Sequence, residues 1–113
     1  MEFRPQPEIT AQEAAERVER VLAENEVVLF MKGSEQVPEC AYSREALQLL
    51  TRYRDDIVTV DVLAALEEYR AALAAESGWE TIPQVYVDGE FIGGSERLAT
   101  LEERGELEAR LDG

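Results

Sequence analysis

Val27-Val28-Leu29-Phe30-Met31 is an unbroken apolar run, entered from Asn25-Glu26 and left through Lys32-Gly33. A strand with one wet face alternates apolar and polar residues. A strand that is apolar at every position is covered on both faces. A sheet built around this run therefore needs a layer above and a layer below.

The rest of the chain offers helices for those layers. Thr10-Ala11-Gln12-Glu13 has the form of a capping box, and Ala14, Val18, Val21 and Leu22 recur on one helical face. Together they predict a helix over about 11–24. Lys32 to Glu39 reads as a loop containing Gly33, Ser34 and Pro38. Ala46, Leu47, Leu49 and Leu50 mark a second helix that begins near Cys40 or Ala41, and Ile57 to Asp61 reads as a second strand. Leu63, Leu66, Tyr69, Ala72 and Leu73 predict a third helix from Leu63 to Ala75, with Gly78 as its stop. Asp88-Gly89 between Val85-Tyr86-Val87 and Phe91-Ile92 is a hairpin signal. Gly93-Gly94 ends that ladder, Ser95 is placed to cap a last helix running to about Glu103, and Leu107 and Leu111 belong to a short helical tail after Gly105.

The order is αβαβαββα plus the tail. A helix joins the first two strands, so they pair in parallel with a right-handed crossover, and the last two form an antiparallel hairpin. The expected fold class is α/β, with a four-stranded mixed sheet flanked by helices on both faces. Residues 1–9, with Pro5 and Pro7, read as a loose lead-in to one domain over 10–113.

Composition removes whole chemistries. The chain of 113 residues has no histidine and one cysteine, Cys40. That excludes His-based triads, His-ligated zinc, an intrachain disulfide and a Cys-x-x-Cys pair. With 25 acidic and 11 basic residues the net charge is −14, which disfavours nonspecific nucleic-acid binding and anionic membrane surfaces. No apolar run is long enough to span a bilayer, and the start lacks a secretory pattern. A cytoplasmic protein is expected. All the basic residues except Lys32 are arginine. Abundant acid with almost no lysine points to a salt-adapted cytosol, where ions screen self-repulsion; the alternative is an ordinary acidic surface.

Cys40 has two readings. An isolated cysteine is commonly an inert core residue. At a strand-to-helix loop, however, unpaired N–H groups and the helix dipole favour the thiolate, and Lys32 lies at the end of the preceding strand on the same edge.

The neighbourhood resembles a family. Lys32-Gly33, Pro38-Glu39-Cys40-Ala41-Tyr42-Ser43, Thr81-Ile82-Pro83-Gln84-Val85-Tyr86-Val87-Asp88-Gly89 and Gly93-Gly94-Ser95-Glu96 together resemble a monothiol glutaredoxin of the iron–sulfur-carrying type, over roughly residues 10–111. The resemblance implies a thioredoxin fold, with 10–113 as a glutaredoxin-like domain. It implies that Cys40 is both the active-site thiol and the metal ligand. It implies a glutathione site made by Lys32, Tyr42, Arg70, Ile82, Pro83, Gly94, Ser95 and Glu96, with Pro83 in the cis form. Lys32 and Arg70 suit carboxylates, the backbone before a cis proline suits strand-like pairing, and the N–H groups after Gly94 with the Glu96 carboxylate suit the two charges of a γ-glutamyl end. Trp79 matches a tryptophan just before that segment and reads as packing.

The sequence departs from the family in four places. Ala41 and Tyr42 stand where Gly and Phe are usual, Glu80 where Pro is usual, and Glu96 where Asp is usual.

The resemblance implies two activities. A two-iron, two-sulfur cluster needs four thiolates. One chain supplies one, so two chains and two molecules of glutathione, or of a related small thiol, complete the set. The implied carrier is a cluster-bridged homodimer when loaded and a monomer when empty, with iron–sulfur recipient proteins and a BolA-like protein as partners. The alternative is a glutathione-dependent thiol oxidoreductase acting through Cys40 on protein–glutathione mixed disulfides. The stretch Ser34 to Pro38 lengthens the loop before Cys40, as in family members that bind clusters and reduce weakly. A third reading is a redox-inactive interaction domain that keeps the fold.

Overall fold

A computed structural model describes residues 9–112. The lead-in expected over 1–9 lies, apart from Ile9, outside the described residues. Helix α1 spans Ala11–Glu24 and opens on the expected capping box: the Glu13 N–H donates to Thr10 Oγ1 at 3.1 Å and the Thr10 N–H donates to Glu13 Oε1 at 3.0 Å. Strand β1 is Val27–Met31, buried at every position. Helix α2 (Ala41–Thr51) and strand β2 (Val58–Asp61) follow. The third helix is divided. A 3-10 turn over Leu63–Ala65 precedes α3, Leu66–Ser77, because Ala65 leaves helical geometry at φ −146° and ψ 52°. Gly78 stops α3 in the left-handed conformation, as expected. Strands β3 (Gln84–Val87) and β4 (Glu90–Gly93) form the hairpin, and α4 (Ser95–Glu103) and α5 (Leu107–Leu111) close the chain.

The sheet order is β2-β1-β3-β4. β1 pairs β2 in parallel and β3 antiparallel, and β3 pairs β4 antiparallel with an irregularity between Val85 and Tyr86. Alternate residues of the central strands face opposite layers. Val27, Leu29, Met31, Val85 and Val87 pack with α2, α4 and α5, whereas Val28, Phe30 and Tyr86 pack with α1 and α3. Helices thus cover both faces, as the apolar run demands.

Two further boundaries differ from expectation. Ile57 lies before β2 and packs half-buried against the α2 side of the core. Ser95 is not the cap of α4. Gly94 holds the N-cap position without a side-chain hydrogen bond, and Ser95 is the first helical residue and is buried. Among the described residues, no helix is long and apolar enough to cross a membrane.

Candidate functional site

Parallel strands share an end, and here the carboxyl ends of β1 and β2 open onto one edge of the molecule. The chain leaves β1 at Met31 and enters α2 at Ala41, and the loop between is tied along its length. The Glu39 N–H donates to the Lys32 carbonyl at 2.9 Å, the Ser34 N–H donates to the Val37 carbonyl at 3.1 Å, and the Val37 N–H donates to Ser34 Oγ at 3.0 Å. Gly33 bridges Pro38 and donates its N–H to Asp61 Oδ1 at 3.1 Å, fixing the loop to the end of β2. Gly33 sits at φ 93°, and a Cβ there would meet the Glu39 nitrogen and the Val37 oxygen at 2.5 Å. Only glycine fits.

The loop delivers Cys40 to the N-cap of α2. Its backbone is extended (φ −152°, ψ 133°), as a cap requires, and its thiol caps the helix only weakly: the Tyr42 and Ser43 N–H groups favour the thiolate without forming a full capping hydrogen bond. The sulfur is half-buried. Burial pushes its pKa up, but the N–H groups of Ser43 and Tyr42, the Ser43 hydroxyl and the Lys32 charge together outweigh it, and the thiol is held below its ordinary value. Lys32 thus stands in the role expected of it toward Cys40.

Ser43 is the residue that sequence reasoning missed. It is fully buried, and its Oγ accepts the Lys32 N–H at 3.0 Å. With that lone pair taken, its hydroxyl proton is free to point at the sulfur. A hydroxyl proton so placed favours the thiolate, the direction in which Ser43 moves the Cys40 pKa.

A groove of about 690 Å³ reaches Tyr42, in the first turn of α2 two residues after Cys40, while Cys40 itself is not in its lining. Six expected site residues line it: Tyr42, Ile82, Pro83, Gly94, Ser95 and Glu96. Trp79, Phe91 and Arg97 also line it. The Ile82–Pro83 peptide is cis. The glycine pair admits the protein's own atoms: a Cβ on Gly94 would meet the Pro83 carbonyl at 2.9 Å, and one on Gly93 (φ 138°) would meet Arg97 Cβ at 2.5 Å. The reading of Trp79 as packing is corrected. The residue is 60% exposed, with its ring 6.5 Å from that of Phe91, so it borders the groove instead of filling the core.

Neither expected cation, Lys32 nor Arg70, is brought into the groove lining. Arg70 stands on α3, and its Nη1 lies 3.5 Å from Glu67 Oε1 one turn earlier. Among the described residues, no group of three or more cysteine and acidic side chains is placed to hold a metal ion. The chemistry available is that of one activated thiol at the start of α2, with Lys32 acting on it, and of a half-apolar groove that runs from Tyr42 to Glu96 at the start of α4.

The comparisons with known proteins agree with this geometry. The family described as Glutaredoxin matches residues 27–92. The chain is 42% identical over 95 residues to an uncharacterized monothiol glutaredoxin, ycf64, of Porphyra purpurea, covering 84% of this chain and 88% of the relative. It is 39% identical over 93 residues to Glutaredoxin 4 of Escherichia coli strain K12, covering 82% of this chain and 80% of that one. Among solved structures, reduced poplar apo GrxS14 superposes with a TM-score of 0.75 at 34% identity, covering 86% of this chain and 88% of the other. The family match spans the loop, the thiol and the Trp79–Pro83 wall of the groove, and the chain belongs to the glutaredoxin family, on its monothiol side.

Proposed function

We propose that this glutaredoxin carries a [2Fe–2S] cluster between two copies of itself, held by Cys40 of each copy and by the thiols of two bound glutathione molecules or of a related small thiol, and passes the cluster to recipient proteins in the cytoplasm. One observation carries the reading. The chain's one cysteine is half-buried with its thiol held below the ordinary pKa, no histidine exists to assist it, and a groove that suits a small thiol begins at Tyr42, two residues away. A four-thiolate cluster then requires a second copy and two external thiols. Such a cluster lies at the surface and is partly held by non-covalent ligands, which suits release to an acceptor. The recipients are proteins with empty iron–sulfur sites, and a BolA-like protein is a further partner.

The groove supports the small thiol. The Glu96 carboxylate suits an amine, the first N–H groups of α4 suit a carboxylate, and the Ile82 backbone suits a peptide group. Lys32 and Arg70 serve the remaining carboxylate, Arg70 after leaving its pairing with Glu67.

A second reading is favoured by the lowered thiol pKa. The Cys40 thiolate attacks the glutathione sulfur of a protein–glutathione disulfide, and the protein leaves as a thiolate. A second glutathione thiolate then displaces Cys40, forming glutathione disulfide.

Anaerobic reconstitution with iron, sulfide and glutathione separates the two. A coloured dimer that Cys40→Ser turns into a colourless monomer supports the carrier. A colourless wild-type monomer that reduces glutathionylated protein overturns it in favour of the oxidoreductase.

A further inference from the structure

Gln84 opens β3 and is 1% exposed, on a strand whose other residues are apolar and buried. A buried amide without partners costs about 1–3 kcal/mol. An apolar residue would suit the strand, so the amide needs a reason. Its Nε2 donates to the Trp79 carbonyl at 2.7 Å. Its Oε1 accepts the Tyr86 hydroxyl at 2.8 Å and lies 3.0 Å from Ser77 Oγ. A backbone carbonyl can only accept, so the amide has one workable orientation. Ser77 Oγ in turn accepts the Trp79 N–H at 3.1 Å. Both peptide groups flanking the Trp79 Cα are therefore held from the buried side, one by the end of α3 and one by the start of β3.

What these bonds hold is a wall of the groove. Trp79, Thr81, Ile82 and Pro83 line it, and they lie within the segment that the Gln84–Trp79 bond closes. The indole itself is exposed and leans on Phe91.

We infer that Gln84 is a positioning residue for ligand binding: its buried amide closes the Trp79–Pro83 segment and sets that wall of the groove. The affinity part of this inference rests on the proposed glutathione site. The wall itself is tested independently, because Trp79 is the chain's one tryptophan and its fluorescence reports the segment directly.

The full chain is compared with Gln84→Met, which keeps the volume and removes the amide, and with Tyr86→Phe, which removes a bond to Oε1 and leaves the Nε2 bond to Trp79. The readouts are acrylamide quenching of Trp79, glutathione affinity by calorimetry and the iodoacetamide rate of Cys40. In Gln84→Met, quenching is expected to rise about twofold and affinity to fall about tenfold, with the Cys40 rate unchanged. Tyr86→Phe is expected to melt lower but to quench and bind as wild type does. If Gln84→Met matches Tyr86→Phe in both quenching and affinity, the residue is only structural and the inference falls. If wild type itself does not bind glutathione, the proposed site falls, and the quenching comparison alone decides the role of Gln84. Should Gln84→Met fail to fold, the side-chain amide protons of wild-type Gln84 decide. Slow exchange supports the tie, and exchange at the rate of a free amide overturns it.

Discussion

Ser43 offers one oxygen to two residues, and its removal separates their fates. Ser43→Ala takes a hydrogen bond from the thiolate and leaves the Lys32 N–H without its partner. The thiol pKa is expected to move up toward its ordinary value, so the pH at which iodoacetamide alkylation reaches half its plateau rises and the rate at pH 7 falls about three- to tenfold. Stopped-flow alkylation across pH checks this. Lys32→Met is expected to shift the profile the same way by less, because its charge contributes less than the hydrogen bonds do. The sequence made Cys40 and Lys32 legible because their chemistry is rare here, a lone thiol and a lone ammonium. Ser43 was not legible. Serine is common in a first helical turn, and nothing in the chain order says that this one turns inward to a backbone amide eleven positions upstream. Trp79 was misread for the converse reason: large aromatics usually fill cores, and only the fold shows this ring held by its backbone at the edge of a groove.

The elements were legible wherever a local rule decided them. The capping box began α1, the unbroken apolar run formed β1, and Asp88-Gly89 turned the hairpin, with Asp88 itself at φ 51°. The rules failed where a tertiary bond overrode them. The third helix starts late because Asp61 Oδ1 accepts the Leu63 N–H at 3.0 Å and bends the chain into a 3-10 turn first. The same carboxylate oxygen accepts the Gly33 N–H, so β2 anchors the active-site loop. Gly33→Ala forces that loop open, and it is expected to slow Cys40 alkylation at neutral pH and to lower the melting temperature by about 5 °C. Elsewhere Arg54 ties three elements together. Its guanidinium donates to Asp56 at 2.6 and 2.8 Å, to Glu26 at 2.9 Å and to the Leu111 carbonyl at 2.7 Å. Arg54→Ala is expected to loosen α5 and to lower the melting temperature by about 5 °C near neutrality. Arg54 holds the Asp56 carboxyl below its ordinary value. The stabilisation is therefore complete above the unfolded carboxylate pKa and is lost as pH falls through the lowered folded value. The gap between wild type and variant should begin to narrow below about pH 4, by thermal unfolding across pH, while the part due to the Leu111 carbonyl persists.

As a whole the molecule carries fourteen more negative charges than positive ones in 113 residues, and like charges on a compact body repel. Raising potassium chloride from about 0.1 to about 1 M shortens the screening length from ~10 to ~3 Å. The melting temperature is expected to rise by about 5 °C over that range, as scanning calorimetry would show, and a flat or falling response would count against salt adaptation. One further property follows from where the sulfur sits. Helix α2 begins at a residue whose sulfur caps it only weakly, in a backbone geometry made for serine or aspartate. Either oxygen-bearing substitute is expected to strengthen the helix start by about 1 kcal/mol. Reactivity and durability thus compete for a single position. The disarmed protein should survive heating longer than the working one, and selection for heat resistance alone would drive cysteine out of that place.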